Sequence, residues 1–358
     1  MVQSCQIRSV VRGFDGSVVQ DAWEPPNNRP TERPNALEAD WSQMDLTDIK
    51  TETATPTGAE FRVAYIAIIG RPNVGKSTLL NRLLQQKLSI VSSRPQTTWH
   101  RILGIRNLPQ AQFLFLDTPG MHKSDAVFNQ GLVRSALRAM ADADIILWLI
   151  DASEVEDPDD HLILEQLREL KPARAPVILA LNKVDRVAKP LLLPRIDRWR
   201  EAYSFAEIIP ISATEGDNLD RLESVLVQYA PVGQPLYPPE ELSDRPERFF
   251  IAEIIREKVF ALLHQELPYA VAVQVEAVRA REGRDLSDVE ATIYVERESQ
   301  KAIVIGAGGQ MLKRIGALAR PEIEAMLETR VFLRLWVKVL EGWRKDTAAL
   351  KRFGYLEP

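Results

Sequence analysis

The octapeptide GRPNVGKS at residues 70–77 constrains the fold more than any other stretch of the chain. It follows an apolar run at residues 63–69, which predicts a strand, and it precedes a helical pattern at residues 78–84. Strand, glycine loop and helix in this order form the setting of a phosphate-binding loop. The glycines allow backbone N–H groups to surround an anion, and the helix N-terminus adds its dipole. We therefore predict that Lys76 reaches the β- and γ-phosphates of a nucleotide and that Ser77 binds Mg²⁺.

Strands and helices alternate along residues 61–229, which we predict to be one domain. Apolar runs at residues 63–69, 113–116, 145–150, 177–181 and 208–211 predict buried strands. Helical patterns lie at residues 78–84, 128–140, 159–170, 191–201 and 219–228. The alternation predicts an α/β fold, a doubly wound and mostly parallel sheet. Ligands of such sheets bind at the carboxyl ends of the strands, which is where the glycine loop falls.

Bulk composition excludes several classes of protein and leaves others open. The net charge is −5, so a nucleic-acid role has to come from a local patch. The single cysteine, Cys5, cannot form an internal disulfide and fits a reducing, cytoplasmic compartment. No apolar run is long enough to span a membrane. The segment from Asp21 to Glu60 contains nine acidic and three basic residues, so we expect residues 1–60 to be a disordered acidic tail. A transit peptide is the alternative, which the acidic content disfavours.

A second motif, Asp117-Thr118-Pro119-Gly120, follows the strand predicted at residues 113–116. Asp117 is predicted to hold Mg²⁺ through water, and the Gly120 N–H to donate to the γ-phosphate. A further Mg²⁺ ligand is expected in the polar loop after the first helix, where Thr98 is preferred over Thr97. Loss of the γ-phosphate would release these loops.

Two later motifs select the base. In Asn182-Lys183-Val184-Asp185, the carboxylate of Asp185 is predicted to accept two hydrogen bonds from guanine, a donor pair that adenine lacks. Ser212-Ala213 would close the pocket, with the Ala213 N–H donating to the guanine carbonyl. The four motifs in this order predict a GTPase domain. The predicted GTP contacts are Gly70, Asn73, Val74, Gly75, Lys76, Ser77, Thr78, Asp117, Gly120, Asn182, Lys183, Asp185, Ser212 and Ala213, and the predicted metal ligands are Ser77, Thr98 and Asp117.

The position after Gly120 leaves a gap in the mechanism. Small signalling GTPases carry there a glutamine that orients the attacking water, whereas this chain has Met121. No catalytic side chain is therefore assigned, transition-state charge is left to Lys76 and the Gly120 backbone, and intrinsic turnover should be slow. A monovalent cation near Asn73 is one further source of positive charge. His122 could serve as a base, but an exposed loop residue is the favoured interpretation.

Prolines between residues 230 and 246 predict a linker, beyond which a smaller α+β domain begins. It contains a helix at residues 249–264, strands at 271–280 and 289–297, a helix at 310–328 and a strand at 331–339. The cluster Gly306-Ala307-Gly308-Gly309 is either a loop that clamps an RNA backbone or a helix-capping turn. Lys301 to Arg352 carries eleven basic and five acidic residues, a local basic excess. The predicted RNA contacts are Gly306, Ala307, Gly308, Gly309, Lys313 and Arg314.

Together these residues resemble the Era family of bacterial ribosome-assembly GTPases. The resemblance covers nearly five-sixths of the chain, from Val63 onward. The nucleotide motifs are shared with many GTPases, and the more specific stretches lie elsewhere. They are QTTWHR at residues 96–101, PERF at 246–249, AEIIREK at 252–258, LPY at 267–269 and LWVKV at 335–339.

The resemblance implies a type II KH domain at residues 247–358 that binds single-stranded RNA near the 3′ end of small-subunit ribosomal RNA. It also implies a role in small-subunit assembly, a short helix at residues 299–305 and potassium-stimulated hydrolysis through Asn73. A monomer with peripheral association at the inner face of the plasma membrane is expected on the same basis. The family's loop usually contains a lysine, whereas Ala307 and Gly308 stand here. RNA affinity should therefore be lower, or should depend on Lys313.

Two alternatives remain at this stage. In one, the second domain binds a protein and RNA is not its ligand. In the other, which Met121 motivates, the chain is a nucleotide-binding scaffold without useful turnover.

Overall fold

The computed structural model describes residues 60–90, 102–118, 120, 136–154, 157–169, 175–263 and 267–353. The expectations for residues 1–59, Thr97, Thr98, Met121 and His122 lie outside this part of the chain.

A six-stranded sheet forms the N-terminal unit. Its strands are β1 (Arg62–Ile69), β2 (Ile102–Leu108), β3 (Ala111–Asp117), β4 (Ile145–Asp151), β5 (Val177–Asn182) and β6 (Glu207–Pro210). Their order is β2-β3-β1-β4-β5-β6, and every neighbouring pair is parallel except β2 and β3. The predicted, mostly parallel sheet is confirmed. Sequence patterns did not reveal β2, because this edge strand carries Gly104, Arg106 and Asn107 and forms no continuous apolar run.

Helices cover both faces of this sheet. They are α1 (Lys76–Leu84), α2, of which residues 136–142 are described, α3 (Pro158–Glu169), α4 (Leu192–Ala202) and α5 (Leu219–Tyr229). One core packs α1 and α5 against one face, and a second core packs α2, α3 and α4 against the other. Alternate residues of each strand enter opposite cores, as a buried parallel strand requires.

Trp148 of β4 lies at the centre of the second core and is fully buried. Its ring meets that of Trp199 edge-on, with centroids 5.2 Å apart, and that of Phe205 at 5.9 Å. Aromatic pairs at these distances add stabilisation beyond their buried area.

The C-terminal unit has the order α6 (Glu247–Leu262), β7 (Ala272–Ala280), β8 (Leu286–Val295), α7 (Glu298–Ile305), α8 (Gln310–Leu327), β9 (Arg330–Val339) and α9 (Thr347–Arg352). β8 lies between β7 and β9, antiparallel to the first and parallel to the second. Helices α6 and α8 bury their apolar sides against this sheet. This is the type II KH arrangement that the family resemblance implied.

The short helix α7 contains the apolar run KAIVI, which by itself would predict a strand. The Gln300 side chain instead accepts hydrogen bonds from the backbone N–H groups of Glu296, at 2.8 Å, and Arg297, at 3.1 Å. These contacts occupy donors at the helix N-terminus and favour a helix here. No sequence pattern indicated α9, whose N-terminus is capped by the Asp346 carboxylate accepting from the Ala348 N–H.

Residues 230–246, predicted as a linker, lie against the first sheet. The Ile105 N–H donates to Leu242 O at 2.9 Å, and the Ser243 hydroxyl donates to Leu103 O at 2.6 Å. The buried Gln112 side chain accepts from the N–H groups of Leu236 and Tyr237. This connection is therefore anchored along β2 and β3.

An ionic cluster joins the two units. Lys87, which follows α1, contacts Glu257 of α6 at 2.8 Å and Glu322 of α8 at 2.7 Å. Lys258 contacts the same two carboxylates. Each of the two carboxylates is thus shared by both ammonium groups. We call this cluster of Lys87, Glu257, Lys258 and Glu322 the ionic joint.

Replacing Trp148 by Ala should lower the free energy of unfolding by about 3–5 kcal/mol, because it leaves a cavity between Trp199 and Phe205. Guanidinium titration followed by circular dichroism would measure the change. Leu191→Ala, at an exposed apolar residue, is the control and should change stability by less than about 0.5 kcal/mol. Equal stabilities for the two variants would contradict this description of the core.

Candidate functional site

The loop between β1 and α1 turns sharply at three residues with positive φ, namely Gly70 (148°), Asn73 (64°) and Gly75 (102°). A Cβ atom at Gly70 would lie 2.5 Å from the Leu149 carbonyl oxygen, and one at Gly75 would collide with the Asn182 amide. Both glycines are therefore required sterically. The loop leads directly into α1, whose first residues include Ser77 and Thr78. The backbone can thus surround an anion, as the sequence predicted.

Lys76 is buried beneath this loop. Its Nζ donates to the carbonyl oxygens of Gly70 and Arg71, both at 2.9 Å. Burial lowers its pKa to about 8, although the nearby Asp117 carboxylate acts in the opposite direction. Phosphate oxygens next to the ammonium group would raise this pKa again, because they stabilise the charged form. Lys76 is therefore positioned and poised to hold an anion.

Asp117, the last residue of β3, is completely buried. Burial raises the pKa of this carboxyl group, while the charge of Lys76 and hydrogen bonds from Ser89 and Ser77 lower it. Its Oδ2 accepts from the Ser89 hydroxyl at 2.9 Å and from the Ser77 hydroxyl at 3.4 Å. Its Oδ1 has no hydrogen-bond partner among the described residues.

These oxygens fit a magnesium ion. Mg²⁺ is usually held by one or two protein oxygens together with substrate phosphates and water. A buried, unpartnered carboxylate oxygen next to a serine hydroxyl meets that requirement. Within the described ranges no group of three His, Cys, Asp or Glu side chains could hold a metal. A metal at this site would therefore depend on nucleotide and water oxygens as well as on Ser77 and Asp117.

Gly120 lies directly against the phosphate-binding loop. A Cβ atom there would be 2.7 Å from the Pro72 backbone nitrogen. This close approach explains why glycine is needed and places the Gly120 backbone next to the loop that would hold the phosphates.

Lys183 fastens the phosphate-binding loop to the sheet. Its Nζ donates to Asn73 O at 2.8 Å and to Asp151 Oδ2 at 2.5 Å. Burial tends to raise the pKa of Asp151, but hydrogen bonds from Lys183 and Ser153 outweigh it and hold that pKa below its usual value. The sequence interpretation missed Asp151, although its position at the carboxyl end of β4 was a signal.

Asn182 makes two structural contacts that the sequence interpretation did not include, while its predicted contact with GTP stays a prediction. Its Nδ2 donates to Val74 O at 2.7 Å, and its Oδ1 accepts from the Ala213 N–H at 2.9 Å. The amide therefore connects the phosphate-binding loop to the loop after β6. The Ala213 N–H, which was expected to donate to the guanine carbonyl, donates to Asn182 Oδ1 here. Its contact with the base stays a prediction, one that requires this hydrogen bond to be shared or exchanged.

Asp185 and Ser212 approach each other across the expected base pocket. The Ser212 hydroxyl donates to Asp185 Oδ1 at 2.6 Å and also accepts from the Glu215 N–H at 3.1 Å. Asp185 itself is exposed. Ser212 thus orients the carboxylate while leaving it accessible to a ligand.

Arg71 is a second residue that the sequence interpretation missed. It is buried and pairs with Asp160 of α3 at 3.2 Å, with Asp157 at 3.7 Å and with Glu154. Burial raises the pKa of Asp160 to about 6, although the charge of Arg71 opposes this shift. Arg71 anchors the phosphate-binding loop to α3, and its partners lie too far along the chain for local patterns to reveal them.

The glycine cluster between α7 and α8 has positive φ at Gly306 (73°), Gly308 (56°) and Gly309 (78°). A Cβ atom at Gly306 would lie 2.7 Å from the Met311 Cβ, whereas none would meet an atom within 4 Å at Gly308 or Gly309. The cluster ends α7 and begins α8, so it does cap these helices, and its contact with RNA stays a prediction. Its open surface also leaves room for a ligand backbone. Ala307 and, one turn beyond on α8, Lys313 and Arg314 are exposed.

The predicted site residues therefore separate into two groups. The nucleotide residues in the described ranges meet at the carboxyl edge of the first sheet, and the predicted RNA contacts lie around the α7–α8 turn. No helix within the described residues is long and apolar enough to cross a membrane.

Two family models match the chain. One, described as "50S ribosome-binding GTPase", matches residues 65–183, and the other, "KH domain", matches residues 266–344. GTPase Era of Geotalea uraniireducens is 50% identical over 299 residues, which covers 84% of this chain and 99% of that protein. GTPase Era of Syntrophus aciditrophicus is 47% identical over 297 residues, which covers 83% of this chain and 96% of that protein.

Solved structures agree. A crystal structure of Era in complex with MgGDPNP and nucleotides 1506–1542 of 16S ribosomal RNA matches with a TM-score of 0.78 and 41% identity. A crystal structure of a point variant of Aquifex aeolicus Era bound to GDP·AlF4⁻ matches with the same values. Each covers 83% of this chain and 100% of its own. Because identity is high over nearly the whole length of these relatives, this chain belongs to the Era family of GTPases.

Proposed function

We propose that this GTPase uses GTP binding and hydrolysis to control the attachment of its KH unit to small-subunit ribosomal RNA near the 3′ end during subunit assembly. The observation that carries the proposal is the meeting of the phosphate-binding loop, Asp117 and Asp185 at one sheet edge, in a chain that also contains a KH fold. The relative crystallised with MgGDPNP and 16S ribosomal RNA supports both ligands.

Each residue at the nucleotide site has a proposed task. Lys76 neutralises negative charge on the β- and γ-phosphates, the Gly120 N–H donates to a γ-phosphate oxygen, and Asp185 binds the guanine N–H groups. Ser77, Thr98 and Asp117 would hold Mg²⁺, which would offset negative charge on the phosphates. Asn182 and Arg71 position the loops that carry these groups. The attacking water is assigned to no side chain.

Potassium is proposed as an additional cofactor, on the basis of Asn73 and the family resemblance. The Asn73 carbonyl oxygen already accepts a hydrogen bond from the Lys183 ammonium group. The backbone of Asn73 has a left-handed conformation. A cation near this residue would supply positive charge next to the transferring phosphoryl group, where no catalytic side chain is assigned.

A continuous set of contacts supports communication between nucleotide and RNA. The Ser89 hydroxyl donates to Asp117 Oδ2, and the Asn81 side chain holds the backbone of Leu88 and Ser89. Lys87, two residues before Ser89, pairs with α6 and α8 of the KH unit. A rearrangement around Asp117 would therefore move a segment that is fixed at its other end to the RNA-binding unit.

We place the GTPase domain at residues 61–229, the linker at 230–246 and the KH domain at 247–358, with an acidic tail at 1–60. We further propose a cytoplasmic monomer with peripheral contact to the inner face of the plasma membrane. These assignments rest on sequence composition and on the family resemblance.

GTP turnover measured in NaCl and in KCl, each with and without an RNA oligonucleotide from the small-subunit 3′ end, tests the proposal. We expect slow turnover in NaCl and stimulation by both K⁺ and RNA. Turnover and binding that are indifferent to RNA would instead favour a protein ligand for the second domain. Absence of multiple turnovers in every condition would favour a nucleotide-binding scaffold.

Asp185→Asn should reduce GTP affinity by about 10³-fold or more and create a preference for xanthine nucleotides, because the amide reverses one hydrogen-bond requirement of the base. Competition binding with GTP and XTP measures the change. Asp197→Asn, at an exposed carboxylate of α4 that pairs with Arg200 one turn along the same helix, is the matched control. Unchanged GTP affinity in Asp185→Asn would refute the assignment of the base pocket.

The double variant Lys313→Ala/Arg314→Ala should weaken RNA binding and reduce the slope of log affinity against log salt by about 1.4, because two phosphate contacts with a single strand are removed. Fluorescence anisotropy over a salt series measures both quantities. The control is Arg221→Ala on α5, an exposed arginine of the other unit. A salt slope identical to that of the unmodified protein would show that these side chains do not contact phosphates.

A further inference from the structure

The sheet of the KH unit packs one face on α6 and α8. Its opposite, outer face is covered around Tyr294 by Trp343 and α9 and is exposed along part of β9. Along β9 the side chains alternate, and Val331, Leu333, Leu335 and their successors pack into the core with α6 and α8. The other residues of the strand define the outer face. Phe332 is 50% exposed there and Trp336 is 41% exposed. The outer-face residues of β9 are Arg330, Phe332, Arg334, Trp336 and Lys338.

Two arginine side chains make cation–π contacts with the Phe332 ring. The Arg281 Cζ lies 5.6 Å from the ring centroid, and the Arg334 Cζ lies 5.8 Å from it. Asp288 of β8 fixes Arg281 through two hydrogen bonds of 2.6 and 2.7 Å, and Glu290 pairs with Arg334. Both guanidinium planes are thus held in place before any ligand arrives. Preorganisation of this kind lowers the entropic cost of binding.

The spacing of the flat groups suits a row of stacked bases. Alternate residues of a strand lie about 6.6 Å apart, so Phe332, Arg334 and Trp336 present three planar groups along about 13 Å. Aromatic rings and guanidinium planes are the groups on which proteins stack unpaired bases. The exposed cations Arg330 and Lys338 stand at the two ends of the row, where phosphates would pass.

β9 is one of the two edge strands of its sheet. Its inner side faces α8, where Gly316 lies close to Leu335, and α8 begins at the glycine cluster. An RNA strand bound at the Gly306–Gly309 turn would therefore have to pass only the free edge of β9 to reach the outer face. A KH loop clamps only about four nucleotides, so a longer RNA requires additional surface.

We propose that the outer face of β9 is a second single-stranded RNA site, which stacks bases of the same RNA that the Gly306–Gly309 turn holds. This inference rests on the proposed RNA-binding function. RNA is favoured over a protein partner because the two large exposed apolar groups of the strand are aromatic, are separated by an ion-paired arginine and are flanked by cations. A hydrophobic protein interface would place apolar side chains next to one another.

The test compares the affinities of two RNAs for the full chain. One is a single strand of about 5 nucleotides, which the turn alone can hold, and the other has about 12 nucleotides from the small-subunit 3′ end. Phe332→Ala and Trp336→Ala should each weaken binding of the longer RNA about tenfold and leave the shorter one unchanged. Trp336→Phe should retain most of the affinity because it keeps a stacking ring. Leu193→Ala, at an exposed apolar residue of the other unit, is the control and should change neither RNA.

A second measurement does not depend on how the variants fold. Ultraviolet cross-linking of the unmodified protein to the longer RNA, followed by peptide mapping, should identify Phe332 or Trp336. Cross-links confined to the glycine cluster and α8 would overturn the proposal.

Other outcomes separate this inference from the function on which it rests. If Phe332→Ala/Trp336→Ala binds the longer RNA normally while Lys313→Ala/Arg314→Ala does not, RNA binding stands and the outer face is not a site. Self-association that the aromatic double variant abolishes, with RNA affinity unchanged, would identify a second copy of the chain as the occupant. If the unmodified protein binds neither RNA, the proposed function itself fails.

Discussion

One buried side chain, the amide of Asn182, connects the two loops on which the nucleotide site depends. It is 2% exposed, donates to Val74 O and accepts from the Ala213 N–H. Removing it would leave a buried donor and a buried acceptor unsatisfied, each at a cost of about 1–3 kcal/mol. The connection is possible because parallel strands bring the carboxyl ends of β1, β5 and β6 to one edge. The first residue of the N-K-x-D motif thus has a structural role in holding these two loops together, in addition to its predicted contact with GTP.

The same edge concentrates buried charge. Burial lowers the pKa of Lys76 to about 8 and raises that of Asp117. In both groups burial disfavours the charged form, and the charge of the other group only partly compensates. Phosphates next to Lys76 and a cation next to Asp117 would offset the remaining cost of burying these two charges. Ligand binding should therefore shift the pKa of Lys76 upward, so that a proton is taken up near pH 8.

Local sequence patterns predicted most of the architecture but few of its long-range contacts. Apolar runs and helical periodicity located every strand of the first sheet except β2, whose Arg106 and Asn107 interrupt the run. The motif glycines were recognised because glycine readily adopts the left-handed backbone conformations that such loops need. The partners of Arg71, Lys87 and Asn182 were not, since they lie far along the chain. Which carboxylates surround Lys87 is decided by how α6 and α8 pack, and no local pattern records that packing.

The ionic joint constrains how the two units can move relative to each other. Lys87 and Lys258 both contact Glu257 and Glu322. If one of these four ion pairs breaks, each of its two side chains still contacts another charged group of the cluster. Charge pairs that are partly shielded from water are screened less by salt than exposed ones. The joint therefore favours one register of the KH unit on the GTPase unit. Because Lys87 lies two residues from Ser89, a change in the contact between Ser89 and Asp117 would act on this register. Nucleotide state and RNA-binding geometry would then be linked through the segment at residues 85–90. The connection at residues 230–246 would not act as a flexible linker, because it is hydrogen-bonded to β2 and β3.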